Sequence, residues 1–247
     1  MLDDGLNALR AEIGIKEIAS LVERTARWVA PETFRYLPVW YPEYARRMPL
    51  YKANWSEPRT NTNRASGTTA QKWEGNVTAN AALTYALGLR KATRPNWSCC
   101  HLWGVDDDKF QKSNAVVSDH RFFSCVGNMV LLPTPLKAFT DTMPEIKAML
   151  RLCARNLYGW QCDHEGMAAI NEALDLWGDW SAWPASWPRK SKTSPPAGTV
   201  PFSPDIKRFA DRRLARVRRD LIEAGAFYPR DKVLEALDYW RIPMVAS

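Results

Sequence analysis

The chain has 247 residues, 46% of them hydrophobic, and a formal net charge of +7, so it can bury a substantial core and form one or two domains. No apolar stretch is long enough to cross a bilayer, and the amino-terminal residues are acidic where a signal peptide would be basic. We therefore expect a cytoplasmic protein without membrane contact. The excess of basic residues favours a polyanionic partner.

The five cysteines are an odd number at irregular spacing, which predicts reduced thiols rather than a disulfide framework. No metal-binding spacing supports a structural zinc site assembled from these cysteines and His164. Buried thiols are the favoured interpretation, and we expect no structural zinc.

Residues 1–95 form the first predicted region, which combines two helices with an aromatic and basic stretch. Apolar residues at helical spacing predict a helical segment over 3–29 that is interrupted by Gly14, and Gly88 is placed to end a second helix over 70–87. The apolar stripe of that second helix consists of Trp73, Val77, Ala81 and Tyr85.

The range from Arg24, near the end of the first helical segment, to Arg64 has eight cations and three anions, a net charge of +5. Its prolines argue against regular structure, and aromatic residues lie between its arginines. Such a pattern can follow a phosphate backbone while stacking on bases. Aromatic residues that pack inward, with arginines that are merely solvated, explain it equally well.

Residues 96–160 form the second region, built around two short apolar segments that each contain a polar residue. His101 lies in the first segment, and Asn128 opens the apolar run of the second. Both segments are typical of buried strands. A helix that begins near Thr142 and ends at Gly159 follows them.

Residues 161–203 form a connector rich in tryptophan and proline, with a linker from about 184 to 203. Its tryptophans recur at helical spacing, and packing on the chain's own core is favoured over docking to a partner. They are Trp177, Trp180, Trp183 and Trp187.

Residues 204–247 form a basic helical module. Ser203 and Pro204 predict the start of a helix, and a second helix is expected from Asp231 to Trp240. The first helix has an arginine face opposite its apolar face, consisting of Arg208, Arg212, Arg216 and Arg219. A face made mostly of arginine favours phosphate recognition, and a protein partner or simple solvation are the alternatives.

The second region resembles the ββα-metal core of HNH nucleases. The resemblance lies between Cys99 and Asp141: a histidine on a first short strand, then Gly-Asn before an apolar run ending in Val-Leu-Leu on a second, then a helix. HNH proteins usually carry a metal-ligating Asp before the histidine and a His or Asn after the middle Asn. This chain has Cys100 and Lys137 at those positions.

The resemblance implies that His101 is a general base that takes a proton from water and that Asn128 orients the loop or the histidine. It also implies a divalent cation, Mg²⁺ or Mn²⁺, for which Asp141 is the best local ligand; Cys100 is a poor one because Mg²⁺ prefers oxygen. Lys137 either contacts phosphate or marks the loss of the metal. Weaker candidate ligands are Asp106, Asp107, Asp108 and Asp119.

The expected fold is a mainly helical α+β chain with a small central ββα-metal (HNH-like) unit. The favoured function is a metal-dependent endonuclease acting on double- or single-stranded DNA, and the resemblance implies a prokaryotic defence or mobile-element setting. Two alternatives stay open. One is a catalytically degenerate, nucleic-acid-binding subunit of a larger complex, and the other is a protein-binding adaptor or inhibitor.

Overall fold

The structure is a computed structural model that describes residues 4–104, 114–190 and 194–244. Its first half contains the helices α1 (Gly5–Glu12), α2 (Ile15–Thr25), α3 (Pro31–Tyr36) and α4 (Val77–Ala86), with the strands β1 (Trp28–Val29), β2 (Thr60–Thr62), β3 (Thr69–Gln71) and β4 (Trp97–His101). The second half contains β5 (Met129–Pro133), α5 (Lys137–Thr142), α6 (Pro144–Tyr158), α7 (Ala168–Asp175), β6 (Thr199–Val200), α8 (Pro204–Glu223) and α9 (Arg230–Tyr239).

The fold is a mainly helical α+β arrangement, as predicted, with 47% of the structure helical. Its described strands form three two-stranded sheets. The central pair is antiparallel, with His101 of β4 opposite Met129 of β5. In the other two sheets β2 pairs antiparallel with β3, and β1 pairs parallel with β6.

The predicted interruption at Gly14 is present, since α1 and α2 lie on either side of it, but the helical segment over 3–29 was wrong in its extent because β1 occupies Trp28–Val29. Gly14 has an extended backbone (φ −76°, ψ 154°), and its N–H donates to the Glu17 carboxylate at 2.8 Å. That carboxylate therefore caps the start of α2 and interrupts the helix. Ala26 is extended as well, which ends α2 before β1.

The predicted helix over 70–87 was wrong in its first half. The backbone of Lys72, just after β3, bonds to Arg59, which precedes β2, and to Leu50. The Glu74 carboxylate then accepts from Val77 N–H at 2.6 Å to start α4. The buried residues of α4 are mostly small and apolar (Ala79, Ala82, Leu83, Ala86), together with Thr84. The predicted apolar stripe instead faces outward, since Val77 is 63% exposed.

The carboxyl-terminal helices follow their local sequence markers. Gly159 adopts the left-handed conformation (φ 62°) that ends α6, and the Ser203 hydroxyl accepts from the Ile206 N–H at 3.3 Å at the start of α8. Helix α9 lies within one residue of the predicted range. Thr142 does not cap α6, because it is the last residue of the short helix α5.

One cluster of buried side chains joins residues from all four predicted regions. The Trp183 and Trp187 rings are buried in it, so the tryptophan row packs largely on the chain's own core. The predicted linker does more than connect, because its Thr199 and Val200 pair with β1. Within the described ranges, no helix has the length and apolar character needed to cross a membrane.

Candidate functional site

The predicted site lies at the end of the central strand pair. Strands β4 and β5 run antiparallel, and α5 follows β5 and packs against β4. His101 is the last residue of β4, while Asn128 immediately precedes β5 on the other side of the intervening loop. The chain thus has a strand–loop–strand–helix order with a histidine at the end of the first strand.

His101 is half-buried and is held by one hydrogen bond. Its Nε2 lies 2.8 Å from the carbonyl oxygen of Phe123, and its ring stacks on the Phe123 ring with 5.6 Å between centroids. A carbonyl only accepts, so Nε2 carries the proton of the neutral ring and Nδ1 carries the lone pair. Among the described residues no side chain or backbone group bonds to that Nδ1.

The pKa of His101 is lowered to about 4, mainly because burial disfavours the charged imidazolium. The positive charges of Arg46, Lys147 and Lys137 lower this pKa further, whereas the bond to Phe123 raises it. The imidazole is therefore neutral at pH 7, which is the form a general base requires.

Asn128 positions the backbone on both sides of the loop but does not contact His101. Its side-chain oxygen accepts from Trp103 N–H at 2.6 Å, and its side-chain nitrogen donates to the carbonyl of Phe122 at 3.3 Å. Phe122 precedes the residue that holds the His101 ring. The buried Asn128 amide thus links the turn after β4 to the segment that orients the histidine.

Arg151 of α6 binds the same turn. Its guanidinium donates to the carbonyls of Leu102 at 2.7 Å and Gly104 at 3.3 Å. The side chain is only 4% exposed. Because a buried guanidinium needs partners for its donors, this contact fixes the turn after His101 and hence the position of the ring.

Three cations surround His101 electrostatically, and they come from separate parts of the chain. Lys137 lies on α5 and Lys147 on α6, whereas Arg46 lies in the segment after α3. Burial and the neighbouring Arg47 lower the pKa of Arg46. A neutral base within a cationic surrounding is chemically suited to a phosphate diester, whose negative charge the cations would balance.

The predicted metal ligands Asp141 and Cys100 do not form a divalent-cation site with the other described residues. The Asp141 carboxylate accepts from Lys137 Nζ at 2.5 Å. Cys100 is 3% exposed, and burial raises the pKa of its thiol to about 11, so the thiol is neutral at pH 7. One lysine-paired carboxylate and a neutral thiol do not fit Mg²⁺.

The weaker metal candidates do not complete a site within the described ranges. There, no three His, Cys, Asp or Glu side chains are grouped so that they could hold a metal ion. The Asp119 carboxylate is bound by Arg121 at 2.7 Å. Asp106, Asp107 and Asp108 lie outside the described residues.

The predicted nucleic-acid-binding arginines lie on α8, and most of them are paired along the helix. Arg208 donates to Asp205 at 2.7 Å. Arg216 and Arg219 both contact the Asp220 carboxylate, at 2.6 Å and 3.2 Å. Arg208 and Arg216 are three or four residues from their partners and share a helix face with them, whereas Arg219 is adjacent to Asp220 and has Glu223 four residues on at 3.8 Å. Much of the positive charge of this face is therefore compensated locally.

Arg212 is the exception among the four arginines, since it is exposed and has no ion-pair partner in the described part of the chain. The neighbouring Arg213 is structural. It donates to the carbonyl of Trp40 at 2.6 Å, pairs with the buried Glu43 carboxylate and lies over the Tyr41 ring. With four carboxylates and seven cations, α8 has a net charge of +3.

Sequence reasoning missed several residues of the site. Arg46 was considered only as one of the cations between Arg24 and Arg64, and neither Lys147 nor Arg151 was predicted to belong to the site. None of them belongs to a motif with His101, so the local sequence offered no signal for them. Comparisons with protein-family models, with curated proteins and with solved structures give no match to the chain.

Proposed function

We propose that the chain is an HNH-like endonuclease that hydrolyses phosphodiester bonds of DNA, with His101 as the general base. The observation that carries the proposal is the neutral His101 ring, oriented by Phe123, with Nδ1 unbonded among the described residues. The five unpaired thiols fit a reducing, cytoplasmic setting.

In the proposed reaction, Nδ1 of His101 takes a proton from a water molecule. The water oxygen forms a bond to phosphorus while the bond from phosphorus to the leaving oxygen breaks. The leaving oxygen takes a proton from solvent, and His101 returns its proton to solvent. Arg46 and Lys137 would balance the charge of the phosphate in the transition state. Asn128 and Arg151 act as positioning residues because they hold the turn after β4.

The divalent cation, Mg²⁺ or Mn²⁺, stays a prediction from the HNH resemblance. The described residues do not supply its ligands, so the proposed steps are assigned only to side chains of the chain itself. A second candidate function is supported by the side chains at the predicted metal positions. Lys137 paired with Asp141 beside a neutral Cys100 favours a nucleic-acid-binding subunit that has lost catalysis.

Cleavage of supercoiled plasmid and of single-stranded DNA tests the proposal, with Mg²⁺, Mn²⁺ or EDTA present. We expect nicking that falls by roughly a hundredfold or more in His101→Ala, the usual contribution of a general base. His120→Ala is the matched control, because His120 is also half-buried and bonded to a carbonyl, that of Pro42, at 2.7 Å.

Asp141→Ala separates the two roles of that carboxylate. If Asp141 binds the metal, the variant needs more Mg²⁺ for cleavage; if it only pairs with Lys137, its metal dependence equals that of the wild type. If the wild type never cleaves DNA but still binds it at low salt, the result supports the nucleic-acid-binding subunit and overturns the nuclease. Binding to neither DNA form would favour the adaptor.

A further inference from the structure

An exposed β-hairpin lies between Arg59 and Lys72 and comprises β2, β3 and their turn. The Asn63 side chain accepts from Ala65 N–H at 2.9 Å, and Gly67 has a positive φ of 68°. Both features are typical of a tight turn. The hairpin therefore has a defined local conformation.

Packing does not explain why this hairpin is present. Every residue from 59 to 70 is exposed, and the segment consists mainly of threonine, asparagine, serine and arginine. Two-stranded hairpins are marginally stable on their own, and this one has no apolar face to bury. Its side chains are hydrogen-bonding groups presented to solvent on both faces.

The charge of the hairpin is positive and locally uncompensated. Arg59, Arg64 and Lys72 lie in a segment without acidic residues, bounded by Glu57 and Glu74. Both boundary carboxylates are engaged elsewhere, since Glu57 pairs with Lys52 and Glu74 starts α4. In the ranges that the structure describes, none of the three hairpin cations has an ion-pair partner.

The base of the hairpin is joined to the segment that carries Arg46. Leu50 N–H donates to the carbonyl of Lys72 at 2.8 Å, and Arg47 N–H donates to the carbonyl of Glu74 at 2.8 Å. Arg46, immediately before, is the cation with the largest electrostatic effect on His101. The basic ribbon, which extends about 17 Å from Arg59 to Arg64, is thus joined at its base to the segment whose Arg46 acts electrostatically on His101.

We propose that this hairpin is a DNA-binding arm that enters a groove of duplex DNA beside the His101 site. A two-stranded ribbon fits the major groove, which is about 12 Å wide. Arginine, threonine, asparagine and glutamine supply donors for phosphates and base edges. The inference deepens the proposed function and rests on its choice of DNA as the partner.

The test measures the affinity for a short fluorescent duplex by anisotropy, in full-length His101→Ala protein so that cleavage cannot interfere. The hairpin variant combines Arg59→Ala, Arg64→Ala and Lys72→Ala. The matched control combines Arg208→Ala, Arg212→Ala and Arg219→Ala on α8, and it removes the same three charges. Circular dichroism checks that both variants fold.

We expect the hairpin variant to bind roughly tenfold or more weaker at low salt, and the slope of log affinity against log salt to fall by about 0.9 for each lost phosphate contact. The α8 control should lose less than about threefold, because two of its three arginines are already paired. Equal losses in the two variants, or an unchanged hairpin variant, would overturn the proposal.

The outcome can be separated from the outcome of the nuclease test. If the wild type never cleaves DNA but the hairpin variant binds DNA more weakly than the His101→Ala protein, the result supports the DNA-binding arm and overturns the nuclease. If cleavage depends on His101 while the hairpin variant binds like the wild type, the nuclease stands and the arm fails. A matching loss for a single-stranded oligonucleotide would overturn the assignment to a duplex groove.

Discussion

The hairpin from Arg59 to Lys72 and the helix α8 are both basic, but their charges have different surroundings. In α8, acidic residues three or four positions from the arginines bind them, as Asp205 binds Arg208 and Asp220 binds Arg216. The hairpin has no acidic residue of its own. The availability of a cation to a ligand thus depends on whether a neighbouring carboxylate binds it. A count of charges does not reveal this.

The difference also separates structural from exposed arginines within α8. Arg213 forms a partly buried pair with Glu43, whose side chain is 4% exposed, whereas Arg212 next to it is exposed to solvent. Adjacent arginines on one helix therefore have unrelated roles. A cation that a nearby carboxylate binds is therefore expected to stabilise the fold, and a cation without such a partner is expected to stay available to a ligand.

The largest effect is expected for Arg213→Ala. The variant leaves the Glu43 carboxylate buried without its partner, so we expect the free energy of unfolding to fall by about 3–5 kcal/mol. Arg212→Ala is the matched control and should change it by less than about 0.5 kcal/mol. Urea denaturation followed by circular dichroism measures both. Equal effects would mean that the contrast between the two arginines is wrong.

The pH dependence of stability extends the comparison to the cations around His101. The pKa of the His101 imidazole is about 4 in the folded chain, below its ordinary value of 6.5. The unfolded chain therefore binds more protons between these values, and stability falls as the pH decreases from about 6.5 to about 4. The loss attributable to His101 should reach about 3 kcal/mol at most.

His101→Gln should remove this part of the pH dependence, while His120→Gln should leave it in place. The measurement is the free energy of unfolding at several pH values for the three proteins. The same slope in wild type and His101→Gln would show that the cations and the burial around His101 do not keep it neutral.

A smaller effect is expected when compensation within α8 is removed. Asp220→Asn keeps the shape of the side chain but takes away the carboxylate that Arg216 and Arg219 share. Both guanidinium groups then lose their nearest carboxylate, while Arg219 keeps Glu223 at 3.8 Å and Arg216 keeps the carbonyl of Ala53, so the affinity for duplex DNA should rise by roughly threefold at low salt. Unchanged or weaker binding would show that pairing does not limit this face.

Part of the fold could be predicted because its markers are local. Ser203 and Pro204 start α8, Gly159 ends α6, and the apolar segments around His101 and Asn128 form a strand pair. The pattern failed where distant contacts decide the structure. Apolar spacing predicted a helix from residue 70, yet pairing of Lys72 with Leu50 and Arg59 favours a strand there.

The candidate site was predictable only in its histidine and asparagine. Arg46 acts on His101 because the segment after α3 bonds to the loop between β4 and β5, where Arg46 N–H donates to the carbonyl of Val117 at 2.9 Å; no local pattern encodes that contact. The hairpin does have a sequence signal, since threonines flank a turn with Asn63 and Gly67. The surrounding prolines favoured an irregular interpretation instead. The pairing along α8 could have been predicted from the spacing of its acidic residues.

The most direct test of the account is a long-range ¹⁵N–¹H spectrum of the histidine side chains, recorded across the acidic and neutral pH range. His101→Gln assigns the signals, since the chain has three histidines. The account predicts a neutral His101 ring with the proton on Nε2, a bare Nδ1 and a titration midpoint at about 4. A proton on Nδ1 would contradict the role of His101 as the base, and a midpoint near the ordinary value of 6.5 would contradict the claim that burial and the nearby cations lower its pKa.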